Sequence, residues 1–410
     1  MSDSIRLGCW FIIAAILCAG CGKKDLPNAD SPGPAQALPS VGPPLTNEEY
    51  EEFGRKLEKA ISSGDKAEIE RLLRIVDLSE RCISDLNLPS SVRRSLAESA
   101  PQASAHTADN IVEVVRSGSR YDFVRVHTID GRKRALFRLV DTEGVVDYHD
   151  YFLARYPDGQ IASEDRYIYS NGEPFTQTHR RVLLTLLAQQ DKDAAGRLTG
   201  EDQVLIKNLE SVNSVYRDLK NGRHKEALAT YRKLPAQLQK SKSFQLLAIR
   251  AAKGTNADDE YLAQIERFHR DFPNDPATDL ISIDYFRIKK QIDEALKSID
   301  RLDKSLDGDV YLGVLRAGVY LEAGRFSEAR AAVEKALKDD PKLEHGYWVR
   351  ISISLKEKNH KDTLDWLKKG IESGVIKLDL DDLKDTPDYA EFVKSPESRD
   401  LEKWLDARSK

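Results

Sequence analysis

Cysteine is scarce in this chain: its 410 residues contain only 4, and three of them lie within the first 21 positions. Cys9 and Cys18 belong to an N-terminal apolar segment that we expect to be removed, and Cys21 follows that segment directly. Only Cys82 then remains as a free thiol, so the mature chain has no pair of cysteines for a structural disulfide. We expect Cys82 to be a small buried hydrophobic residue in a helix and not a nucleophile.

An excess of positive charge is also missing. The formal net charge is −5, the isoelectric point is about 6.0 and the mean hydropathy is −0.52. A nucleic-acid-binding protein needs a basic face, so this class is excluded. After residue 20 no stretch approaches the roughly 18 consecutive apolar residues of a membrane-spanning helix, so we expect no such helix in the mature chain.

The familiar catalytic signatures are missing as well. The sequence contains no phosphate-binding glycine loop, no G-x-S-x-G turn, no H-E-x-x-H motif and no glycine-rich dinucleotide fingerprint. Outside the N-terminal segment, no cysteines and histidines have the spacing of a zinc site. We therefore predict no catalytic residue, no cofactor and no metal site. The absence of motifs does not exclude an enzyme, but the sequence favours a protein that is not one.

What the sequence does have begins with a short uncharged run, Leu7–Gly20, which follows Arg6. The run is too short to span a membrane and has the length of a secretory signal. Its ending, Ala19-Gly20-Cys21, resembles the lipobox of bacterial lipoproteins, although Cys18 stands where that family prefers leucine. The resemblance implies that residues 1–20 are a signal peptide and that Cys21 carries a diacylglycerol; an ordinary secretory peptide is the alternative.

This resemblance also predicts the location of the protein. A lipid anchor at Cys21 would hold it on a membrane of the bacterial cell envelope, facing the periplasm or the exterior. In lipoproteins an aspartate after the cysteine often retains the protein at the inner membrane. Gly22 stands there in this chain, which favours the outer membrane.

Residues 21–45 are rich in proline and almost free of large apolar side chains. Such a segment buries too little apolar surface to fold and behaves as a semi-extended tether. It would hold the folded part away from the membrane surface. Its prolines are Pro27, Pro32, Pro34, Pro39, Pro43 and Pro44.

Residues 46–190 predict an α+β domain. Thr46 and Glu49 have the spacing of a capping box, and two or three amphipathic helices follow. The hydrophobic period then changes from near 3.6 to 2, which predicts a four-stranded antiparallel meander. Asp130-Gly131 and Pro157-Asp158-Gly159 are the turn signals inside its two hairpins. The predicted strands are Tyr121–Ile129, Arg132–Val140, Val145–Tyr156 and Gln160–Ser170.

This order of elements resembles the cone-shaped fold of the nuclear transport factor 2-like superfamily, which includes enzymes and structural modules. The resemblance implies a pocket between helices and sheet, and Arg125, His127 and His149 are its candidate lining residues. Because successive side chains of a strand point to opposite faces, Arg125 and His127 share one face, and Val124 and Val126 share the other. Arg125 and His127 could therefore equally form cross-strand pairs on a solvated face.

The last 200 residues carry a repeat. Ala227, Tyr261, Ala295, Ala329 and Thr363 follow one another at intervals of 34 positions, and the residues four and seven positions later are apolar or small. This period, with the turn glycine Gly324 and Pro341 in the fourth copy, resembles the tetratricopeptide repeat. The resemblance implies an all-α solenoid of helix pairs over 203–375. We expect capping helices over 376–410.

In tetratricopeptide proteins the first helix of each pair lines a groove that binds peptides or protein surfaces. The groove residues that the resemblance implies here are Arg250, Lys253, Asp284, Arg287, Tyr311 and Trp348. Trp348 could instead pack beneath the C-terminal tail, under Tyr389 or Phe392.

The sequence therefore favours a membrane-anchored lipoprotein that acts as a non-enzymatic interaction or scaffold module. Its partners would be a protein or peptide in the groove and the membrane through the lipid, with no nucleic acid. The alternative is a small-ligand binder or enzyme with its site in the α+β domain.

Overall fold

The computed structural model describes residues 43–408 apart from positions 87, 130, 191–195, 197, 274 and 379. These residues form two compact units, the first ending at Thr278 and the second starting at Asp279. The predicted signal peptide, Cys21 and most of the predicted tether lie outside the described residues. In the part of the chain that is described, no helix is long and apolar enough to cross a membrane.

The first unit begins with helices where the sequence predicts them, but the described residues contain four and not two or three. The additional break lies at Arg74, whose left-handed backbone (φ 45°) ends one helix and starts the next. This break is hidden in the hydrophobic pattern, since apolar residues continue on both sides of it. The helices are α1 (Asn47–Ser63), α2 (Lys66–Leu73), α3 (Ile75–Cys82) and α4 (Ser90–Arg116).

The start of α1 confirms the predicted capping box. The Thr46 hydroxyl accepts a hydrogen bond from the Glu49 amide at 3.2 Å, and the Glu49 carboxylate accepts one from the Thr46 amide at 2.9 Å. Two backbone donors that have no partner inside the helix are satisfied in this way. The helix ends at Gly64, whose left-handed backbone (φ 72°) suits a residue without a Cβ atom.

The sheet is antiparallel, with its strands in chain order. Two irregularities interrupt the register, one between Phe123 and Arg125 and one between Phe152 and Leu153. The strands are β1 (Arg120–Ile129), β2 (Arg132–Val140), β3 (Val146–Arg155), β4 (Ile161–Ile168) and β5 (Glu173–Pro174).

The prediction of four strands misses the short β5. A 3-10 turn over Tyr169–Asn171 ends at Gly172 with a left-handed backbone (φ 61°), and the chain then returns beside β4. Ile168 pairs with Glu173 in this added strand. Gly172 therefore closes the turn of a further hairpin, in which the two residues of β5 continue the ladder.

Helices cover one face of the sheet: α1 packs on β1 and β2, while α2 packs on β4. Aromatic rings fill this interface, with the ring centroids of Phe53 and Tyr151 5.8 Å apart and those of Phe137 and Tyr151 5.1 Å apart. Each such side chain, when fully buried, stabilises the fold by about 1.5–3 kcal/mol. We refer to this side of the sheet as the helix-covered face.

The first unit continues as helices after the sheet. Helix α7 packs against α8, and α10 packs against α11, so that two antiparallel pairs follow the sheet. The helices are α5 (Phe175–Gln190), α6 (Gly200–Lys207), α7 (Leu209–Lys220), α8 (His224–Tyr231), α9 (Ala236–Lys240), α10 (Lys242–Gly254) and α11 (Asp258–Asp271).

Polar contacts join the sheet region to these repeat helices within the first unit. Arg180 of α5 donates to the Asp202 carboxylate of α6 at 2.7 Å. The Tyr167 hydroxyl of β4 donates to the Asp275 carboxylate at 3.0 Å, beyond the end of α11. The limit of this compact unit, at Thr278, therefore lies inside the region predicted as repeats, and the predicted boundaries at 190 and 203 stay a prediction.

The second unit is helical throughout its described residues. Helix α14 packs on α15 and α16 packs on α17, which gives two further antiparallel pairs. The helices are α12 (Pro276–Ile288, which starts in the first unit), α13 (Ile292–Ser305), α14 (Tyr311–Glu322), α15 (Phe326–Asp339), α16 (Glu344–Lys356), α17 (His360–Glu372), α18 (Leu380–Asp385) and α19 (Pro396–Arg408).

The burial of the repeat positions confirms the 34-residue register. Ala227, Ala295, Ala329 and Thr363 are 0% exposed and Tyr261 is 6% exposed. The residues four positions later are also buried in every copy: Tyr231, Ile265, Ile299, Val333 and Leu367. A small residue at the first position lets two helices approach closely, and the apolar residue one turn later fills the contact. The chain therefore carries helical repeats.

Candidate functional site

Two of the predicted groove residues are already paired with each other. Arg287 Nη1 donates to Asp284 Oδ1 at 2.9 Å, and Arg287 Nε donates to Glu322 Oε2 at 2.9 Å. Burial opposes the charge of Arg287, but the carboxylates of Asp284 and Glu322 raise its pKa. Asp284 and Arg287 therefore hold α12 to α14 and are poor candidates for first contact with a partner.

The two predicted aromatic anchors differ in exposure. Tyr311 is only 2% exposed, and the edge of its ring meets His345, with 6.4 Å between the centroids. Tyr311, the first residue of α14, therefore packs against His345 of α16 and does not offer an exposed ring to a partner. Trp348 is half-buried, and its indole N–H donates to Glu344 at 3.2 Å.

Arg250 and Lys253 belong to the first unit, on α10, and so lie in a different compact unit from the other four candidates. The Lys253 ammonium lies 5.8 Å from the centre of the Tyr261 ring. Burial lowers the pKa of His224, and the positive charge of Arg250 lowers it further. These two cations therefore pack along the surface of the first unit's own repeat helices.

In the second unit, the contact between Tyr311 and His345 brings equivalent faces of α14 and α16 together. Leu315 and Gly318 follow Tyr311 on one helical face, while Val349 and Ser352 follow His345 on the other. Leu315, Val349 and Ser352 are only partly buried. A Cβ atom added at Gly318 would meet no described atom within 4 Å. We refer to Leu315, Gly318, Trp348, Val349 and Ser352 as the groove face.

The groove face combines apolar and small residues. The Ser352 hydroxyl donates to the Trp348 carbonyl at 2.8 Å, so it is occupied by its own helix. Glycine inside a helix costs about 0.5–1 kcal/mol relative to alanine. Since no neighbour within the described chain requires Gly318, its presence fits close approach of another backbone.

On the sheet, His149 lies on the helix-covered face. Its Nδ1 atom lies 2.7 Å from the Tyr121 hydroxyl, which lies 2.8 Å from the Tyr151 hydroxyl. Arg166 donates to the Tyr151 hydroxyl at 3.2 Å. Burial lowers the pKa of His149, although Asp147 acts in the opposite direction. This network lies among aromatic side chains and links residues of β1, β3 and β4 to one another.

His127 lies on the other face of the sheet, in a second polar cluster. Its Nε2 atom is 2.5 Å from Asp150 Oδ1. Arg134 Nη1 donates to Asp150 Oδ2 at 3.3 Å, and the Tyr169 hydroxyl donates to the same oxygen at 3.2 Å. Three donors thus converge on one carboxylate that is 0% exposed. We refer to His127, Arg134, Asp150 and Tyr169 as the Asp150 cluster.

The predicted common pocket of Arg125, His127 and His149 is therefore wrong. Phe123 pairs with Phe137 of β2, but after the bulge Arg125 pairs with Leu136. Because the bulge inserts one residue, Arg125 and His127 move to the face opposite His149. The expectation of a solvated face is wrong as well, since His127 is 4% exposed.

Sequence reasoning missed Arg134 and Tyr169, and it also missed a buried pair between Ser79 and His179. The Ser79 hydroxyl and His179 Nε2 are 2.7 Å apart, and burial lowers the pKa of His179 to about 4. Arg134 could have been found from the alternation of Arg132, Arg134 and Arg138 along β2. The Ser79–His179 contact joins residues 100 positions apart, so the sequence around either residue does not predict it.

Cys82 is buried as predicted, and burial raises the pKa of its thiol to about 12. A thiol in this state is a poor nucleophile. Among the described residues, no group of three or more histidine, cysteine, aspartate or glutamate side chains could hold a metal ion.

No protein-family model matches the chain, and no curated protein sequence matches it. Two solved structures of MamA overlap with it. The alignment to the structure titled MamA MSR-1 C2 has 18% identity, covers 41% of this chain and 96% of that chain, and has a TM-score of 0.33. The alignment to a MamA point mutant has 17% identity, covers 43% and 97%, and has the same TM-score. Overlap at this level carries no argument, and the helical repeats rest on burial and packing.

Proposed function

We propose that this protein is a non-enzymatic interaction module of the bacterial cell envelope, anchored by lipid at Cys21, which binds a segment of a partner protein on the groove face. The observation that carries the proposal is the open space over Gly318, on the face of α14 that also carries the half-buried Leu315.

The chemistry of the groove face supports a peptide segment as the ligand. Leu315 and Val349 offer apolar contact, while Gly318 and Ser352 leave room for a main chain between them. Trp348 adds a large, rigid ring of the type that dominates binding energy at protein interfaces. Asp284, Arg287 and Glu322 are already paired with one another, so specificity would come from shape and apolar contact.

The test is capture of partners from crosslinked envelopes by the full chain and by the variant Trp348→Ala. We expect the variant to lose capture and to melt within a few degrees of wild type, because Trp348 is only half-buried. Trp366→Ala is the matched control: Trp366 is also half-buried, but it lies on the second helix α17, beneath Lys369 at 4.1 Å.

A large drop in melting temperature with capture retained would mean that Trp348 belongs to the core, since deletion of a buried tryptophan costs about 3–5 kcal/mol. Loss of capture in Trp366→Ala as well would place the binding surface elsewhere. A photo-crosslinking residue in place of Ser352 should label the same partner directly, whereas one in place of the exposed Lys361 should not.

A further inference from the structure

Within the first unit, a tight turn of the sheet region lies directly on a repeat helix. The 3-10 turn Tyr169–Asn171 packs on α10, and Gly172 ends the turn with a left-handed backbone (φ 61°). A Cβ atom added at Gly172 would lie 2.8 Å from Leu246 Cδ1 and 2.9 Å from Lys242 Cδ. Glycine suits this position for two reasons, the left-handed backbone and the close approach to α10. We refer to residues 169–172 as the Gly172 turn.

Polar contacts beside the Gly172 turn hold it on the repeats. The Tyr167 hydroxyl donates to the Asp275 carboxylate at 3.0 Å. Lys242 forms an ion pair with the same carboxylate, whose side chain is only 9% exposed, and its ammonium lies 5.7 Å from the centre of the Tyr167 ring. The turn is therefore seated on α10 by a mostly buried polar contact as well as by apolar packing.

The helix that receives the Gly172 turn has the same place in the repeat as α16. Lys242 and Leu246 of α10 stand three 34-residue periods before Glu344 and Trp348 of α16. Leu246 is 7% exposed beneath the turn, whereas Trp348 keeps part of its surface exposed. The space over Gly318 on the neighbouring α14 is open among the described residues. Equivalent positions of the repeats thus occur once beneath a turn and once beside open space.

We propose that the partner of the groove face binds through a tight turn that contains glycine, and that this turn lies on Trp348 as the Gly172 turn lies on Leu246. The inference rests on the proposed function and gives the shape of its ligand. A turn with glycine at its close point brings main chain onto a helix without a side chain between them. Since Glu344 stands where α10 has Lys242, the partner should place a hydroxyl donor or a cation beside its turn.

A fluorescent hairpin peptide tests the shape of the ligand, with the full chain in detergent titrated into it and anisotropy as the readout. The peptide copies residues 166–175, which include Tyr-Ser-Asn-Gly, and a disulfide between two added terminal cysteines closes it. We expect saturable binding that Trp348→Ala weakens tenfold or more, whereas Trp348→Phe keeps a ring and most of the affinity. Trp366→Ala is the matched control and should leave the affinity unchanged.

The role of glycine is tested with a second peptide that has valine in its place. We expect this peptide to bind about tenfold more weakly or worse, because valine resists a left-handed backbone and adds a branched Cβ at the close approach. Equal affinity of the two peptides would contradict the inference. So would the absence of saturable binding by the glycine peptide, or binding that Trp348→Ala leaves unchanged, since the peptide would then act elsewhere, for example on α10.

The photo-crosslinking residue in place of Ser352 separates failure of this inference from failure of the proposed function. Label on a helical or extended segment of a partner, with no binding of the hairpin peptide, would overturn the turn but leave the groove face as a binding surface. No label on any partner and no binding of the peptide would overturn both. Label on a glycine-containing turn, together with binding of the peptide, is the expected result.

Discussion

At the scale of single residues, buried histidines set the response of the fold to acid. His179 and His149 both have a lowered pKa, in each case first because burial disfavours the charged ring. Positive charge on Arg166 lowers both further. Neither ring is able to accept a proton without a loss of native stability.

The sign follows from linkage. A histidine whose pKa is lower in the folded state than in the unfolded state contributes stability that is complete above about pH 6.5 and is lost as the pH falls toward 4. For His179, with a folded pKa of about 4, the loss amounts to about 3 kcal/mol across this range.

We therefore expect the free energy of unfolding to fall between pH 6.5 and pH 4, and the variant His179→Gln to lose less of it. Glutamine keeps an N–H donor for Ser79 but binds no proton. Urea unfolding at several pH values measures the slope, with His106→Gln on the exposed surface of α4 as the control for loss of a histidine. Equal slopes in wild type and His179→Gln would show that His179 does not resist protonation.

The repeat register makes a second prediction for a single residue. Ala329 is 0% exposed where α15 meets its neighbours, so Ala329→Leu inserts side-chain atoms into a filled contact. The expected cost is about 1–3 kcal/mol in the free energy of unfolding. Ala331→Leu, two residues along on the exposed side of the same helix, is the control and should change stability little. Equal effects of the two would contradict the packing of α15.

At the scale of elements, the sequence predicts what local contacts determine. The capping box of Thr46 and Glu49 acts across three residues, and the hairpin between β1 and β2 depends on its two-residue turn. Both can therefore be predicted from the sequence. A small or apolar residue recurs every 34 positions in five copies, and this period predicts the paired helices. The capping box and the hairpin turn are each encoded within a few neighbouring residues. The repeat period is encoded five times, so that divergent positions in single copies do not hide it.

The candidate site was less predictable, because its geometry depends on irregular positions. The bulge after Phe123 reverses the face on which Arg125 and His127 lie, and alternation alone gives no sign of it. Asp150 meets His127 across an intervening strand, and Tyr169 reaches Asp150 from a 3-10 turn. These contacts depend on sheet twist and tertiary packing, for which one sequence has no local signal.

Helix glycines provide a test at this scale. At Gly54 in α1, an added Cβ atom would lie 2.4 Å from the ring of Phe123 in β1, whereas at Gly318 it would meet open space. Gly54→Ala should therefore destabilise the chain by about 1–3 kcal/mol despite the better helix propensity of alanine. Gly318→Ala should stabilise it by about 0.5–1 kcal/mol. Thermal unfolding of both variants measures the two changes in stability, and the prediction requires that they have opposite signs.

At the scale of the whole molecule, the two compact units contribute differently to the proposed function. The first unit joins the sheet to the first repeat helices through side chains such as Arg180, which donates to both Asp85 and Asp202. The second unit carries the groove face. The proposed peptide site therefore lies within the second unit.

The proposed anchor would hold the groove face near a membrane. In the proposed lipoprotein, the thioether at Cys21 is the membrane attachment. No helix among the described residues is long and apolar enough to span a bilayer. Cys21→Ser removes the sulfur atom that takes the lipid. We therefore expect this variant to leave the membrane fraction or to accumulate as an uncleaved precursor, while wild type incorporates labelled fatty acid and fractionates with membranes.

Cys18→Leu is the matched control for this prediction, because it also removes a cysteine but introduces the residue that lipoboxes prefer at that place. It should be labelled and anchored at least as well as wild type. If Cys21→Ser stays with the membrane and wild type takes up no label, the lipid anchor is disproved and an ordinary secretory peptide explains the N-terminus. In that case the protein would act in solution, and the groove face would have to find its ligand without the high local concentration that a membrane surface gives.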